Sequence, residues 1–131
     1  MGGSDGPRLD LSRRTGALLA GDLLAIGLFV AAGELRHGGT LAAGSVTFAQ
    51  FAAGWLLAAV ALGAYGGTAI ASLRRAGALA AGGWVVGACL GVVIRAAVRP
   101  GFYIAPAFLA VAIGVGGVLL VGWRLLAAVA L

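Results

Sequence analysis

The sequence predicts an all-α integral membrane protein built as a bundle of four transmembrane helices. The 131-residue chain is 62% hydrophobic and only 10% charged, and its apolar residues fall into four long runs. An average soluble domain carries about a quarter charged residues, and a small soluble globule cannot hide so much apolar surface. The alternation of polar and apolar residues that a membrane β-barrel needs is absent. The predicted surroundings of the chain are therefore a lipid bilayer.

The first run follows Arg13 and Arg14 and contains Asp22. A secretory signal peptide is the alternative interpretation of a basic pair followed by apolar residues. The run is longer than the apolar part of a usual signal peptide, and an acidic residue lies within it. We therefore predict that it is retained as a membrane span.

Three segments separate the four runs. The first, ELRHGGTLAAGSVT, is long and glycine-rich, the second, SLRRAG, is short and basic, and the third, VRPG, contains a proline that ends a helix. A helix needs about 20 residues to cross a hydrocarbon core of about 30 Å. The predicted spans are residues 15–33, 48–69, 76–97 and 103–126, with loops near residues 34–47, 70–76 and 98–102. Residues 13–131 form one transmembrane domain, and residues 1–12 are predicted to be a flexible cytoplasmic head.

The arginines predict the orientation of these spans in the cell membrane. Loops rich in lysine and arginine normally face the cytoplasm. Both termini lie on the side that is richer in arginine, so both are predicted to be cytoplasmic. This side carries Arg8, Arg13, Arg14, Arg74, Arg75 and Arg124, and the other carries Arg36, Arg95 and Arg99.

Several classes of function are disfavoured by composition. The net charge of +5 comes from arginines scattered between apolar runs, without the basic and aromatic surface that binds nucleic acid. One cysteine, Cys89, and one histidine, His37, make neither a disulfide nor a metal site. No nucleophile with a neighbouring base and no phosphate-binding loop is present. We expect no cofactor and no enzymatic activity.

Small residues recur at four-residue spacing on the third run, at Gly83, Gly87 and Gly91. Burying leucine does not drive helices together in lipid, whereas small residues allow close backbone packing. We predict that this ridge faces another helix. Packing within the bundle and homodimerisation both remain open. Similar spacing occurs at Gly63 and Gly67 on the second run and at Ala112 and Gly116 on the fourth.

The carboxylate of Asp22 needs a partner, because unpaired ionisable groups are costly inside a membrane. Arg124 lies near the end of the fourth run, at a depth that overlaps that of Asp22 if the topology holds. The planar guanidinium suits a carboxylate. We predict a direct ion pair between the first and last helices. A transport or proton-handling role for Asp22 is the alternative.

A second polar layer is predicted at the opposite end of the bundle. Glu34 and Arg95 end the first and third runs and are the predicted pair in this layer. Histidine is the residue type whose charge can change near neutral pH, although a solvated or paired loop residue is the simpler interpretation of His37. The residues predicted to line a vestibule are Glu34, Arg36, His37, Gln50, Arg95, Arg99 and Tyr103.

The tryptophans and tyrosines lie mostly near the ends of the runs. Aromatic belts at the two membrane surfaces explain such positions without any ligand. These residues are Trp55, Tyr65, Trp84, Tyr103 and Trp123.

The chain resembles the bacterial and archaeal membrane proteins grouped as domain of unknown function 3054. The resemblance is carried by RRTGALLAGDLLAIGLFVAAGELRHG, AAGWLLAAVALGAYGG, GVVIRAAVRP and FLAVAIGVGGVLLVGWRLL. Its most specific parts are Gly21-Asp22, the cluster at 34–37, Arg95 and Gly122-Trp123-Arg124. It implies a four-span membrane protein and brings no activity with it.

Two functions are predicted from these features. A small transporter or channel-like protein with a polar interior is favoured by Asp22, Arg95 and Arg124. An accessory or assembly subunit of a larger membrane complex, or a homo-oligomer, is favoured by the glycine ridges and the small size. Water reaching Asp22 would support transport, whereas a dry and fully paired interior would support the accessory role.

Overall fold

The computed structural model describes residues 11–98 and 106–131, without the side chains at 36, 37, 106 and 107. The predicted head at residues 1–10, the predicted loop beyond residue 98, Arg99 and Tyr103 lie outside the described residues. The described ranges contain four helices and no strand: α1 (Arg13–His37), α2 (Leu41–Leu62), α3 (Leu73–Val98) and α4 (Pro106–Ala130). Each is long and apolar enough to cross a membrane. The predicted all-α, four-span fold class is confirmed.

Polar caps and left-handed glycines set the ends of α1 and α2. The hydroxyl of Ser12 accepts from the Thr15 amide at the start of α1, and that of Thr40 accepts from the Ala43 amide at the start of α2. These bonds satisfy amides that have no partner within the helix. Gly38 (φ 66°) and Gly63 (φ 85°) end the two helices in a conformation that side chains rarely adopt.

The predicted loop at 34–47 and the predicted second span at 48–69 are wrong. Helix α1 continues to His37 and α2 begins at Leu41, so three residues join them. Helix α2 then ends at Leu62, and residues 63–72 form a non-helical link before α3. Hydropathy indicates which residues lie in the bilayer. The ends of the helix are set instead by Thr40 and Gly63, where the helical hydrogen bonding of α2 begins and ends. Gly63 and Gly67 therefore form no helical ridge, because both lie beyond α2.

The helices run antiparallel to their neighbours in chain order. The contact between α2 and α3 is the most extensive, the contacts of α3 with α4 and of α4 with α1 follow in that order, and the contact between α1 and α2 is the smallest of the four. Helices α1 and α3 lie diagonally opposite. The end of the bundle at which α1 and α3 begin and α2 and α4 end carries exposed arginines, and we call it the arginine face. Its described exposed arginines are Arg13, Arg14, Arg74 and Arg75.

The glycine ridge of α3 faces α2, as predicted. A Cβ atom added to Gly87 would lie 2.8 Å from the Trp55 Cα atom, and one added to Gly91 would lie 3.0 Å from the Phe51 ring. A Cβ atom on Gly83 would meet the Trp55 ring, and one on Gly54 of α2 would overlap the Gly87 carbonyl. Hence the two backbones approach as closely as they do only because both sides lack side chains.

Aromatic rings fill the centre of the bundle, while aliphatic side chains cover its outside. The ring centroids of Phe29, Phe51 and Trp84 lie 5.7–5.9 Å apart. Such spacings are typical of attractive ring contacts. The exposed side chains include Leu24, Leu28, Leu57, Val93 and Val118. This outward apolar surface fits a multi-pass protein surrounded by lipid.

Candidate functional site

Asp22 and Arg124 form an ion pair inside the bundle, between α1 and α4. Arg124 Nη2 lies 2.6 Å from Asp22 Oδ2, and Arg124 Nε donates to Asp22 Oδ1 over 3.0 Å. This two-point contact is the geometry in which a guanidinium binds a carboxylate with greatest specificity. Neither side chain has any exposed surface. The prediction that Asp22 and Arg124 are direct partners is confirmed.

Gly21 and Trp123, which directly precede Asp22 and Arg124, hold α1 and α4 in register. The ring of Trp123 occupies the place that a Cβ atom on Gly21 would take. Trp123 Nε1 also donates to the Leu18 carbonyl over 3.3 Å. Gly21 therefore provides the space that lets α4 approach α1 closely enough for Arg124 to reach Asp22.

Tyr65 and Trp55 extend the pair into a buried chain of hydrogen bonds. The Tyr65 hydroxyl donates to Asp22 Oδ2, and Trp55 Nε1 donates to the Tyr65 hydroxyl over 2.8 Å. Burial, and then the negative charge of Asp22, raise the pKa of the Tyr65 phenol above its ordinary range. Tyr65 lies in the link after α2, and its phenol stays protonated and able to donate at neutral pH.

Arg124 also binds the backbone of the link between α2 and α3. Its Nη1 atom donates to the Ala64 carbonyl over 2.7 Å, and Ala64 is fully buried. The guanidinium carbon lies 5.0 Å from the Tyr65 ring centroid and 5.7 Å from that of Trp55. Aromatic faces attract cations at such distances. The turn at Gly63 brings Ala64 and Tyr65 back into the bundle, so one guanidinium joins α1, α4 and the link.

Every oxygen of the Asp22 carboxylate is hydrogen-bonded within the protein. Each carboxylate oxygen of Asp22 accepts from Arg124, and Oδ2 also accepts from Tyr65. The charges of Asp22 and Arg124 cancel, and neither side chain contacts solvent. A substrate or proton carrier would have to displace Arg124 or Tyr65 to reach the carboxylate. We call Asp22, Arg124, Tyr65 and Trp55 the buried cluster.

Arg95 lies in a second polar group near the other end of the bundle. Its Nη1 atom donates to the Thr47 hydroxyl over 2.8 Å and to Gln50 Oε1 over 3.1 Å. Thr47 in turn donates to the Ala43 carbonyl over 3.1 Å. These bonds join the last turn of α3 to the first half of α2.

The predicted ion pair between Glu34 and Arg95 is not formed among the described residues. Glu34 folds against Gly39 and Gly44, where its side-chain atoms occupy or border the space that Cβ atoms would take. The prediction failed because equal depth does not make two helices neighbours. Helix α1 carries Glu34 and α3 carries Arg95, and these helices are diagonal in the bundle.

Other candidate positions add no further site to the described part of the chain. The side chains of Arg36 and His37 are not among those described, so the prediction of a vestibule stays a prediction. No group of three histidine, cysteine, aspartate or glutamate side chains comes together among the described residues. Sequence reasoning missed Tyr65 and Trp55 as partners of the ion pair, because an aromatic belt already explains such residues near the ends of spans.

Comparison with known proteins identifies one family. Residues 19–127 match the model of a family described as Protein of unknown function (DUF3054). The match includes Asp22, Tyr65, Arg95 and Arg124. No curated protein and no solved structure matches the chain.

Proposed function

Since the chain belongs to the DUF3054 family of proteins of unknown function, we propose a role from its geometry: an accessory or assembly subunit of a larger membrane complex. One observation carries the proposal. The carboxylate of Asp22 has no exposed surface, and both its oxygens are bonded within the chain. In this role the buried cluster holds the helices in one arrangement, and no reaction is assigned to it. A buried ion pair is best attested as such a device for register.

The outside of the bundle supports contact with another membrane helix. A groove between α3 and α4 contains Gly114, Gly117 and Gly122. Nothing lies within 4 Å of the Cβ positions of Gly114 and Gly122, so both leave open space on the surface. Small residues facing lipid gain nothing, whereas a partner helix can approach them closely. The partner in this proposal is a transmembrane helix of another protein.

Transport through the buried cluster is the competing role, and it is favoured less by this geometry. Arg124 occupies the position at the carboxylate that a cationic substrate would need. Proteoliposomes with an internal pH-sensitive dye distinguish the two roles. We expect the wild-type protein to pass no more protons than liposomes without protein. A proton flux that Asp22→Asn abolishes would contradict the accessory role.

Native gel electrophoresis of mildly solubilised membranes tests the partner. We expect the chain to migrate in a complex larger than its own dimer and Gly114→Leu to release it. The matched control is Gly82→Leu, since Gly82 is also an exposed helical glycine with nothing near its Cβ position. Equal migration of both variants and the wild type would exclude this groove as the interface.

The proposal also includes the orientation of the bundle in the membrane. We infer that the arginine face lies in the cytoplasm of the cell and that both termini are on that side, because the arginine-rich side of a membrane protein is normally retained there.

A further inference from the structure

The arginine face has an excess of positive charge that the chain does not neutralise among its described residues. Arg13 and Arg14 are exposed in the first turn of α1, and Arg74 and Arg75 are exposed in the first turn of α3. Neither first turn contains an acidic residue. Positive side chains at a helix N-terminus add to the positive end of the helix dipole. An anion at this face would lower the resulting electrostatic repulsion.

An apolar groove begins at the same face, between α1 and α2. Its volume is about 370 Å³. Its walls include Gly16, Leu19, Leu56, Val60 and Tyr65. The two helices that form it have the smallest contact of the four neighbouring pairs. Nothing lies within 4 Å of the Cβ position of Gly16, so the α1 wall is open there.

Arg13 is a neighbour of the groove wall on the surface of α1. Arg13 and Gly16 are three residues apart on α1, and residues at that spacing are neighbours on a helix surface. Because Gly16 has no side chain and nothing lies near its Cβ position, the groove wall next to Arg13 is open. The molecule that matches this pattern carries a negative charge at the membrane surface and an apolar chain directed into the bilayer.

We propose that this groove binds one anionic phospholipid. The lipid phosphate binds Arg13 and Arg14, and one acyl chain lies between Leu19 and Val60. Guanidinium groups bind phosphate oxygens through paired, charge-assisted bonds, which favours an anionic over a zwitterionic headgroup. Because Tyr65 forms part of the groove wall, the acyl chain contacts a residue of the buried cluster. This inference does not depend on the proposed accessory role.

The test compares two lipids with identical acyl chains, phosphatidylglycerol and phosphatidylcholine, added to the full chain in detergent. Native mass spectrometry measures retained lipid, and tryptophan fluorescence measures Tm. We expect phosphatidylglycerol to be retained preferentially and to raise Tm more. In the double variant Arg13→Gln/Arg14→Gln the preference should fall about tenfold or more, as when charge-assisted contacts are lost.

The matched control is Arg74→Gln/Arg75→Gln, which removes the same charge from the same face but lies away from the groove. We expect this variant to keep most of the preference. An equal loss in both double variants would overturn the proposal, because it would mean that the face attracts anionic lipid without a site. Stabilisation by soluble glycerol phosphate equal to that by the lipid would also overturn it.

A variant that fills the groove tests the position of the acyl chain. Gly16→Leu fits the open space at Gly16, so its Tm in detergent without lipid should match that of the wild type. We expect it to lose lipid retention while Arg13 and Arg14 remain. Unchanged retention in Gly16→Leu, with the fold intact by circular dichroism, would place the lipid elsewhere and contradict the proposal.

Discussion

At the scale of single residues, Asp22 illustrates both what sequence can predict and where it stops. An acid in an apolar run requires a partner, and Arg124 was the candidate at matching depth. The role of Tyr65 could not be predicted, because a tyrosine near a span end is already explained by the membrane surface. The left-handed turn at Gly63 is what brings its hydroxyl to Asp22. A glycine two residues before a tyrosine was the available signal, and it is weak.

Removing one member of the ion pair should leave an uncompensated charge in the bundle. We expect Asp22→Ala and Arg124→Ala each to lower the free energy of unfolding by about 3–5 kcal/mol. Asp22→Asn should cost less, because its amide oxygen still accepts hydrogen bonds. The double variant should lose less than the sum of the two single losses. Reversible unfolding in mixed micelles measures all four variants, and strictly additive losses would show that the residues do not interact.

Tyr65→Phe should separate the hydrogen bonds of Tyr65 from the ion pair. The change keeps the ring beside Arg124 but removes the donor to Asp22 and the acceptor of Trp55 Nε1. An unsatisfied buried donor costs about 1–3 kcal/mol, and we expect a loss of stability in that range. The same unfolding assay measures it. A neutral effect would mean that Tyr65 contributes only packing.

At the scale of helices, the glycine ridge of α3 was predicted to face a helix, and the structure identifies α2 as that helix. Spacing shows which residues share a face, but it carries no information about which neighbour the face meets. The same gap explains the failed pairing of Glu34 with Arg95. Both lie near the same membrane surface, yet α1 and α3 are diagonal. The order of helices around a bundle is set by packing between distant segments, such as Gly54 against Gly87.

Gly87→Leu should therefore disrupt the contact between α2 and α3. Any side chain at Gly87 meets the Trp55 backbone, which cannot move without shifting the helix. We expect a loss of at least about 1–3 kcal/mol, the usual cost of overpacking. Gly82→Leu on the exposed side of the same helix is the control and should have little effect. Wild-type thermal stability of Gly87→Leu in detergent and in membranes would contradict the observed packing.

At the scale of the whole molecule, four spans follow from hydropathy, whereas their ends do not. The apolar composition of residues 41–47 is modest, yet Thr40 caps a helix there and shortens the first connection to residues 38–40. The second connection is correspondingly longer and folds into the bundle. The lengths of both connections depend on local hydrogen bonds, which cannot be predicted from average hydropathy.

Cysteine labelling should place the two connections on opposite sides of the membrane. Ala42 and Ala71 are both exposed, and they lie beside the first and within the second connection. In a Cys89→Ser background, we expect Ala42→Cys to react with an impermeant maleimide in intact cells. Ala71→Cys should react only after permeabilisation. If the two positions react from the same side, the four-span topology is wrong.

The separation of Asp22 from Arg124 along the chain has a consequence for biogenesis. The two partners are 102 residues apart, so the ribosome has made three helices before the codon for Arg124 is read. While the chain is being made, Asp22 therefore lacks Arg124 as its partner, and at first it lacks Tyr65 as well. Since a lone carboxylate is disfavoured in hydrocarbon, we expect α1 to be held by the insertion machinery until α4 emerges. We therefore expect α1 to be stable in the lipid only once α4 has been synthesised and has paired with it.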